Sequence, residues 1–218
     1  MRYIYFILFL FTQHGFAQDH QFGIQTGPTV TNIRPQFRTG KNLKKTGFAA
    51  EINYQYRFHS GIFLGVGFNY NQRGFTAMTG SELQGMYVPE EVKYKLSYIS
   101  LPMRAGISVG SSIFGFGSAA LVPSLIANAN SMHDGVSDGE FIYQKINSEL
   151  SVVSDGDLAV MFEAGGGYKF SEAWQIFVSG CFFTGLTNVI QEGYSGGKDF
   201  KHYGWWFSIG GKYSIHQY

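Results

Sequence analysis

Residues 205–213 read Trp205-Trp206-Phe207-Ser208-Ile209-Gly210-Gly211-Lys212-Tyr213. Trp205, Phe207, Ile209, Gly211 and Tyr213 fall on one side of a period-two repeat, and Trp206, Ser208, Gly210 and Lys212 on the other. Gly166, Tyr168 and Phe170 alternate in the same way with Gly165, Gly167 and Lys169. Apolar residues on one face and small or charged residues on the other mark a strand that separates two environments.

The same rhythm extends outward from these stretches. It predicts eight strands, at about 21–33, 47–58, 62–73, 94–109, 113–127, 158–170, 174–187 and 203–215. Each meets the roughly 9–11 residues that a tilted strand needs to cross a bilayer. Short turns fall at 59–61, 110–112 and 171–173, and long connections at 34–46, 74–93, 128–157 and 188–202. Short turns on one rim and long loops on the other are the pattern of an antiparallel up-and-down transmembrane β-barrel with its long loops outside the cell. An all-β barrel of eight strands is the expected fold, in one domain spanning 18–218.

The first residues read as an export signal. Arg2 supplies a positive start, Tyr3 to Thr12 an apolar run, and Gly15 and Ala17 the small residues a signal peptidase accepts, so 1–17 is expected to be removed. The apolar run is too short for a spanning helix of about 20 residues. No Cys follows it to carry a lipid anchor, and the single Cys181 excludes an intrachain disulfide. With Arg2 set aside, Lys plus Arg and Asp plus Glu are equal at 15 each, which argues against nucleic acid as a partner. Aromatic residues make up 17 % of the chain. Tyr56, Phe58, Tyr168, Phe170, Trp174 and Tyr213 are expected at the short-turn rim, and Phe48, Tyr70, Tyr203 and Trp205 at the other, as two interfacial girdles.

Alternation assigns the faces. Phe48, Ala50, Ile52, Tyr54, Tyr56 and Phe58 point outward on the second strand, and Ile62, Leu64, Val66, Phe68 and Tyr70 on the third. The seventh strand is less clean, because Phe177 and Phe183 fall on the inner side. In the fourth, the phase is expected to change between Tyr98 and Ile99 through a β-bulge.

The inward set contains the candidate site residues Glu51, Arg57, Arg73, Arg104, Glu163, Lys169 and Lys212. The interior of an eight-stranded barrel is just wide enough for side chains to fill. Charges there must be paired, so Glu51 and Glu163 are expected to pair with Arg104 and a neighbouring base, closing the lumen. The 34–46 connection carries Arg34, Arg38, Lys41, Lys44 and Lys45 and no acid, a set suited to lipopolysaccharide phosphates. The 128–157 connection carries Asp134, Asp138, Glu140, Glu149, Asp155 and Asp157 against Lys145. Its spacing does not fit a calcium loop, the histidines show no metal-ligand spacing, and Gly165-Gly166-Gly167 is no nucleotide fingerprint. No metal, cofactor or catalytic residue is expected. A lipid-modifying enzyme would need a Ser or His at the lipid-facing rim, for which Ser208 and His202 are the available residues. A narrow pore would need an open lumen.

Tyr98-Ile99-Ser100-Leu101-Pro102 resembles the Tyr-x-x-(Ile/Leu)-Pro pattern of the PorT-like outer-membrane β-barrel proteins of Bacteroidetes. The stretch 63–75, with Asn69-Tyr70-Asn71-Gln72-Arg73-Gly74, is similar to that family's third strand. Gly165-Gly166-Gly167-Tyr168 and Thr184-Gly185-Leu186-Thr187-Asn188 are similar to its sixth and seventh. The resemblance implies an eight-stranded barrel in the bacterial outer membrane. It implies little about activity beyond the association of the family's founding member with a system that exports proteins across the outer membrane. Together with the closed interior and the basic connection, the expected role is non-enzymatic, in secretion or envelope integrity, with outer-membrane lipid, lipopolysaccharide or secretion-system proteins as partners. The resemblance carries no catalytic residue.

Overall fold

The computed structural model describes residues 18–35, 42–83, 86–137, 140–144, 153–190 and 199–217. The strands in chain order are β1 (Gln18–Arg34), β2 (Asn42–Arg57), β3 (Ile62–Leu83), β4 (Met86–Ser100), β5 (Met103–Gly110), β6 (Ile113–Ser137), β7 (Glu140–Gln144), β8 (Gly156–Lys169), β9 (Trp174–Gly185) and β10 (Lys201–Gln217). All pairings are antiparallel, and β1 pairs with β10 from Gln18↔Gln217 to Arg34↔Lys201, which closes the sheet on itself. β4 and β5 both lie between β3 and β6, so they form one stave interrupted at Leu101-Pro102. Among the described residues, β7 pairs with the far end of β6 alone. The result is an up-and-down barrel of eight staves.

The interruption has a local cause. Pro102 has no N–H to give a neighbour. The ladder is carried past it by Gly67 N donating to Pro102 O at 2.9 Å and Leu101 N donating to Pro123 O at 2.9 Å. The turns are as short as the sequence predicts. Gly61 between β2 and β3 has φ +83° and Gly110 at the end of β5 has φ +104°, backbone conformations that a side chain disfavours.

The outside of the ring is apolar. Ile24 is 63 % exposed, Ile52 60 %, Phe68 53 %, Val178 60 % and Ile209 62 %. Keeping one such side chain in water forgoes about 1.5–3 kcal/mol. A band of them around the whole ring requires hydrocarbon as the solvent. Exposed Tyr168, Phe170, Trp174 and Tyr213 mark the short-turn rim, and exposed Phe48, Tyr70 and Trp205 the opposite one. Trp174 and Tyr213 sit with ring centroids 4.9 Å apart.

Two expectations need correction. First, residues 74–83 and 86–93 are strand and not loop. β3 and β4 stay paired from Gly74↔Lys95 to Leu83↔Met86, although β2 stops pairing with β3 at Asn42↔Ala77. β6 likewise runs on to pair with β4 as far as Glu91↔Asp134 and with β7. Beyond the bilayer no hydrocarbon faces the outside of a strand, so nothing imposes an apolar outer side there. Second, the phase of the fourth stave does not change. Leu96, Tyr98, Ser100, Pro102 and Arg104 are all buried on the inner face, while Ile99, Leu101 and Met103 are exposed. The irregularity lies across the ladder, where Ser97 pairs with Asn128 and Tyr98 with Ile126, leaving Ala127 of β6 as the extra residue. Leu96 and Tyr98 misled the phase because the upper lumen is apolar and accepts them.

Candidate functional site

The lumen is filled in layers, and within the strands each layer is built from inward positions two residues apart. At mid-height Arg104 Nη2 donates to Glu51 Oε1 at 2.6 Å, and its Nη1 lies 3.4 Å from Glu163 Oε2. Glu51 also accepts from Gln25 Nε2 at 3.0 Å and Asn53 Nδ2 at 3.1 Å, with Asn69 Nδ2 at 3.5 Å. Ser179 Oγ donates to Glu163 Oε1 at 2.8 Å and lies 2.8 Å from Ser208 Oγ, whose single proton is shared between Ser179 Oγ and Gln25 Oε1 at 3.0 Å. The chain Arg104–Glu51–Gln25–Ser208–Ser179–Glu163 closes on Arg104. It joins β5, β2, β1, β10, β9 and β8 across the barrel. A buried carboxylate is tolerable only with such partners, because an unpaired one costs several kcal/mol.

Above the belt, Arg73 Nη1 pairs with Asp157 Oδ2 at 2.6 Å, both side chains almost fully buried. The guanidinium is sandwiched between the Tyr98 and Phe183 rings, 4.7 and 4.8 Å from their centroids. Thr187 Oγ1 donates to Asp157 Oδ1 at 2.8 Å. Tyr98 OH and His202 Nε2 share a 3.3 Å hydrogen bond within the same layer. Higher still, Val153, Val189, Ile190 and Phe200 pack into the outer mouth against Leu96, Tyr98, Ile33 and Phe75. Ser154 N donating to Val189 O and Val189 N donating to Phe200 O, both at 2.8 Å, hold this cap.

Below the belt, Lys212 Nζ donates to Gln55 Oε1 at 2.9 Å. It stands 4.9 Å from the Phe177 ring, 5.0 Å from Phe116 and 5.8 Å from Phe63. These rings have room because glycines face them. A Cβ on Gly165 would come within 2.7 Å of Phe116, one on Gly210 within 2.5 Å of Phe177, and one on Gly106 within 2.5 Å of Phe63. The inward phenylalanines of β9 are therefore lumen filling.

Glu51, Arg104 and Glu163 thus meet in one cluster, and Arg73 lies in another with an acid taken from the 128–157 connection. Lys212 bonds Gln55 and not a carboxylate. Arg57 and Lys169 are half-buried at the short-turn end, where Arg57 pairs in register with Asp19 and Lys169 Nζ is 5.9 Å from the Phe114 ring. Arg34, Lys44 and Lys45 lie at the outer rim, while Arg38 and Lys41 lie outside the described residues. So do residues 1–17, Asp138, Lys145 and Glu149. Ser208 and His202 are buried in the lumen, 6 % and 0 % exposed, and neither lies on the lipid-facing rim. Asp157 had a readable signal: it precedes Ala159, Met161 and Glu163 on the same inward phase.

Among the described residues no group of three His, Cys, Asp or Glu side chains gathers as a metal site. A closed antiparallel ring with an apolar exterior and a charge-paired interior defines a transmembrane β-barrel. Residues 16–191 match the family described as outer membrane protein beta-barrel domain. The chain belongs to that family and is a bacterial outer-membrane β-barrel protein. Among solved structures it is similar to Neisserial surface protein A (12 % identity, 89 % of this chain, 97 % of that one, TM-score 0.46). It is also similar to OprG of Pseudomonas aeruginosa (14 %, 90 % and 96 %, 0.46). A third likeness is to the outer membrane protease OmpT of Escherichia coli (10 %, 91 % and 97 %, 0.43). No curated protein gives a significant sequence match.

Proposed function

We propose that the protein is a closed, non-enzymatic outer-membrane barrel that acts through its outer surface. There it binds envelope lipid or a protein partner, in support of protein secretion or envelope integrity. The observation that carries this reading is the filled lumen: an apolar cap, two ion-paired layers and a phenylalanine-lined lysine succeed one another from mouth to base. A path for solutes would have to breach all of them. The inward positions of Ser208, whose hydroxyl faces Ser179 and Gln25, and of His202 favour the non-enzymatic side of the reading, because neither side chain is presented on the lipid-facing surface. The order of motifs resembling PorT-like proteins supports the link to secretion, and removal of 1–17 after export fits it.

The outer surface offers two kinds of contact. Among the described residues, the strand pairs β3–β4 and β6–β7 extend past their neighbours in the ring and present backbone edges to a partner. Arg34, Arg38, Lys41, Lys44 and Lys45 provide cations for lipopolysaccharide phosphates. Photo-crosslinkers placed at Val88 on β4 and Phe141 on β7 in intact cells test the proposal. Capture of secretion components or of lipopolysaccharide is the expected result. Capture of neither, with a crosslinker at lipid-facing Phe68 still labelling phospholipid, would overturn it.

A further inference from the structure

We infer that the barrel wall itself holds one molecule of lipid A, the phosphorylated glycolipid of the outer leaflet. Its phosphate would rest at Arg34 and Lys201, and one acyl chain would lie in a groove across β8, β9, β10 and β1. This rests on the proposed role of the outer surface in binding envelope lipid and assigns it a place on the wall.

The upper half of the site is a pair of cations on the outside of the ring. Arg34 and Lys201 are register partners at the end of the closing β1–β10 ladder. The inner face there belongs to Ile33, His202 and Phe183, all buried, so Arg34, Lys201, Tyr203 and Thr184 take the outer face. The Arg34 side chain crosses the wall: its guanidinium lies 5.9 Å from the Tyr203 ring centroid, and Nη2 donates to Thr184 Oγ1 at 2.5 Å. That bond occupies one of five guanidinium donors, and the fork suits a phosphate. Lys201 has a loose contact with Asp199 at 3.9 Å, and the Asp199 side chain is 74 % exposed and able to swing away. The long connections lie on this rim, which places the cations in the outer leaflet.

The lower half is a groove of about 630 Å³ in the lipid-facing wall on the same staves. Its lining includes Pro28, Gly166, Val178, Gly180, Phe207 and Ile209 and is almost wholly apolar. The groove exists because side chains stop short. A Cβ on Gly180 would meet only the Phe207 ring, at 3.7 Å. The β1–β10 ladder skips from Thr26↔Ile209 to Thr29↔Trp206, since Pro28 has no N–H to donate. Phe182 and Trp205, with centroids 5.1 Å apart, stand between the groove and the cations. From Thr184 to Gly180 and from Arg34 to Pro28, strand rise gives about 13–20 Å, or roughly 10–15 Å of depth at a tilt near 40°. That is close to one leaflet of a hydrocarbon core about 30 Å thick. A headgroup held by the cations therefore drops its chain into the groove. The two halves select together: phosphate chooses the cations, and chain length chooses the hollow.

Native mass spectrometry of the full mature barrel in detergent tests this, with purified lipid A and phosphatidylethanolamine titrated in parallel. We expect one lipid A to be retained at least tenfold more tightly than phosphatidylethanolamine. Arg34→Gln with Lys201→Gln should erase that margin, and Gly180→Leu, which fills the groove from outside, should weaken retention severalfold. Each variant should keep the heat-modifiable gel migration of a folded barrel. Equal retention of both lipids, or retention unchanged in the wall variants, would overturn the wall site. If changing Arg38, Lys41, Lys44 and Lys45 to Gln then abolishes lipid A binding, the wider reading of a lipid-binding outer rim survives without this site. If no variant alters it, both fail.

Discussion

The two charged layers of the lumen solve the same problem differently. In the belt, one guanidinium serves two carboxylates, which also accept from Gln25, Asn53 and Ser179, with Ser208 standing behind Gln25 and Ser179. In the layer above, Arg73 and Asp157 are matched one to one, and two aromatic rings take the place of the hydrogen-bonding frame. The first arrangement depends on a network spanning the ring. The second depends on a single contact clamped between faces. Removing the cation should therefore hurt the belt more than the upper layer, and removing one acid should hurt it unequally.

The largest effect is expected from Arg104→Ala, which strands two buried carboxylates. Unfolding in urea from lipid vesicles should show a loss at the upper end of about 3–5 kcal/mol. Arg73→Ala strands only Asp157, which retains the Thr187 bond, so the same measurement should fall at the lower end of about 3–5 kcal/mol. Equal losses would mean that the network adds nothing to the belt. Within the belt, Glu51→Gln should cost about 1–3 kcal/mol: the amide oxygen can still accept from Arg104, Gln25 and Asn53, but the carboxylate charge opposite Arg104 is lost and the amide NH2 is turned on the Asn69 donor. Glu163→Gln should stay within about 1 kcal/mol of the parent, since its Arg104 contact is long at 3.4 Å and an amide oxygen still accepts from Ser179. Reversal of that order would place the primary ion pair on the wrong acid. The smallest effect is expected at Lys212→Met, whose thioether replaces an ammonium surrounded by Phe63, Phe116 and Phe177, with a change within about 1 kcal/mol by thermal melting.

The two layers also differ in how readable they were. Glu51, Arg104 and Glu163 lie in mid-stave, where lipid outside and polar side chains inside enforce strict alternation, and their residue types alone demand pairing. Asp157 lies one residue after the start of β8, and its partner choice depends on where β3 ends up across the ring. Tyr98 and Phe183 face inward although they are aromatic, because Arg73 needs their faces and the cap needs an apolar floor. Residue type then points to the wrong side of the wall. Val153, Val189, Ile190 and Phe200 show no period at all, since they lie outside the strands, joined among the described residues by the Val153↔Ile190 bridge and single backbone bonds. The outer halves of β3, β4 and β6 were lost to the sequence for the opposite reason: their ladder is regular, but past the bilayer no hydrocarbon demands an apolar outer side. The lipid-facing groove was equally hidden, because small outward residues on four staves become a hollow only when the register sets them side by side.

Single-channel recording of the purified mature protein in planar bilayers tests the filled lumen most directly. A ring closed by the cap and by both charged layers predicts a flat baseline after insertion, with no stable ohmic steps. Reproducible linear conductance from each inserted molecule would contradict it.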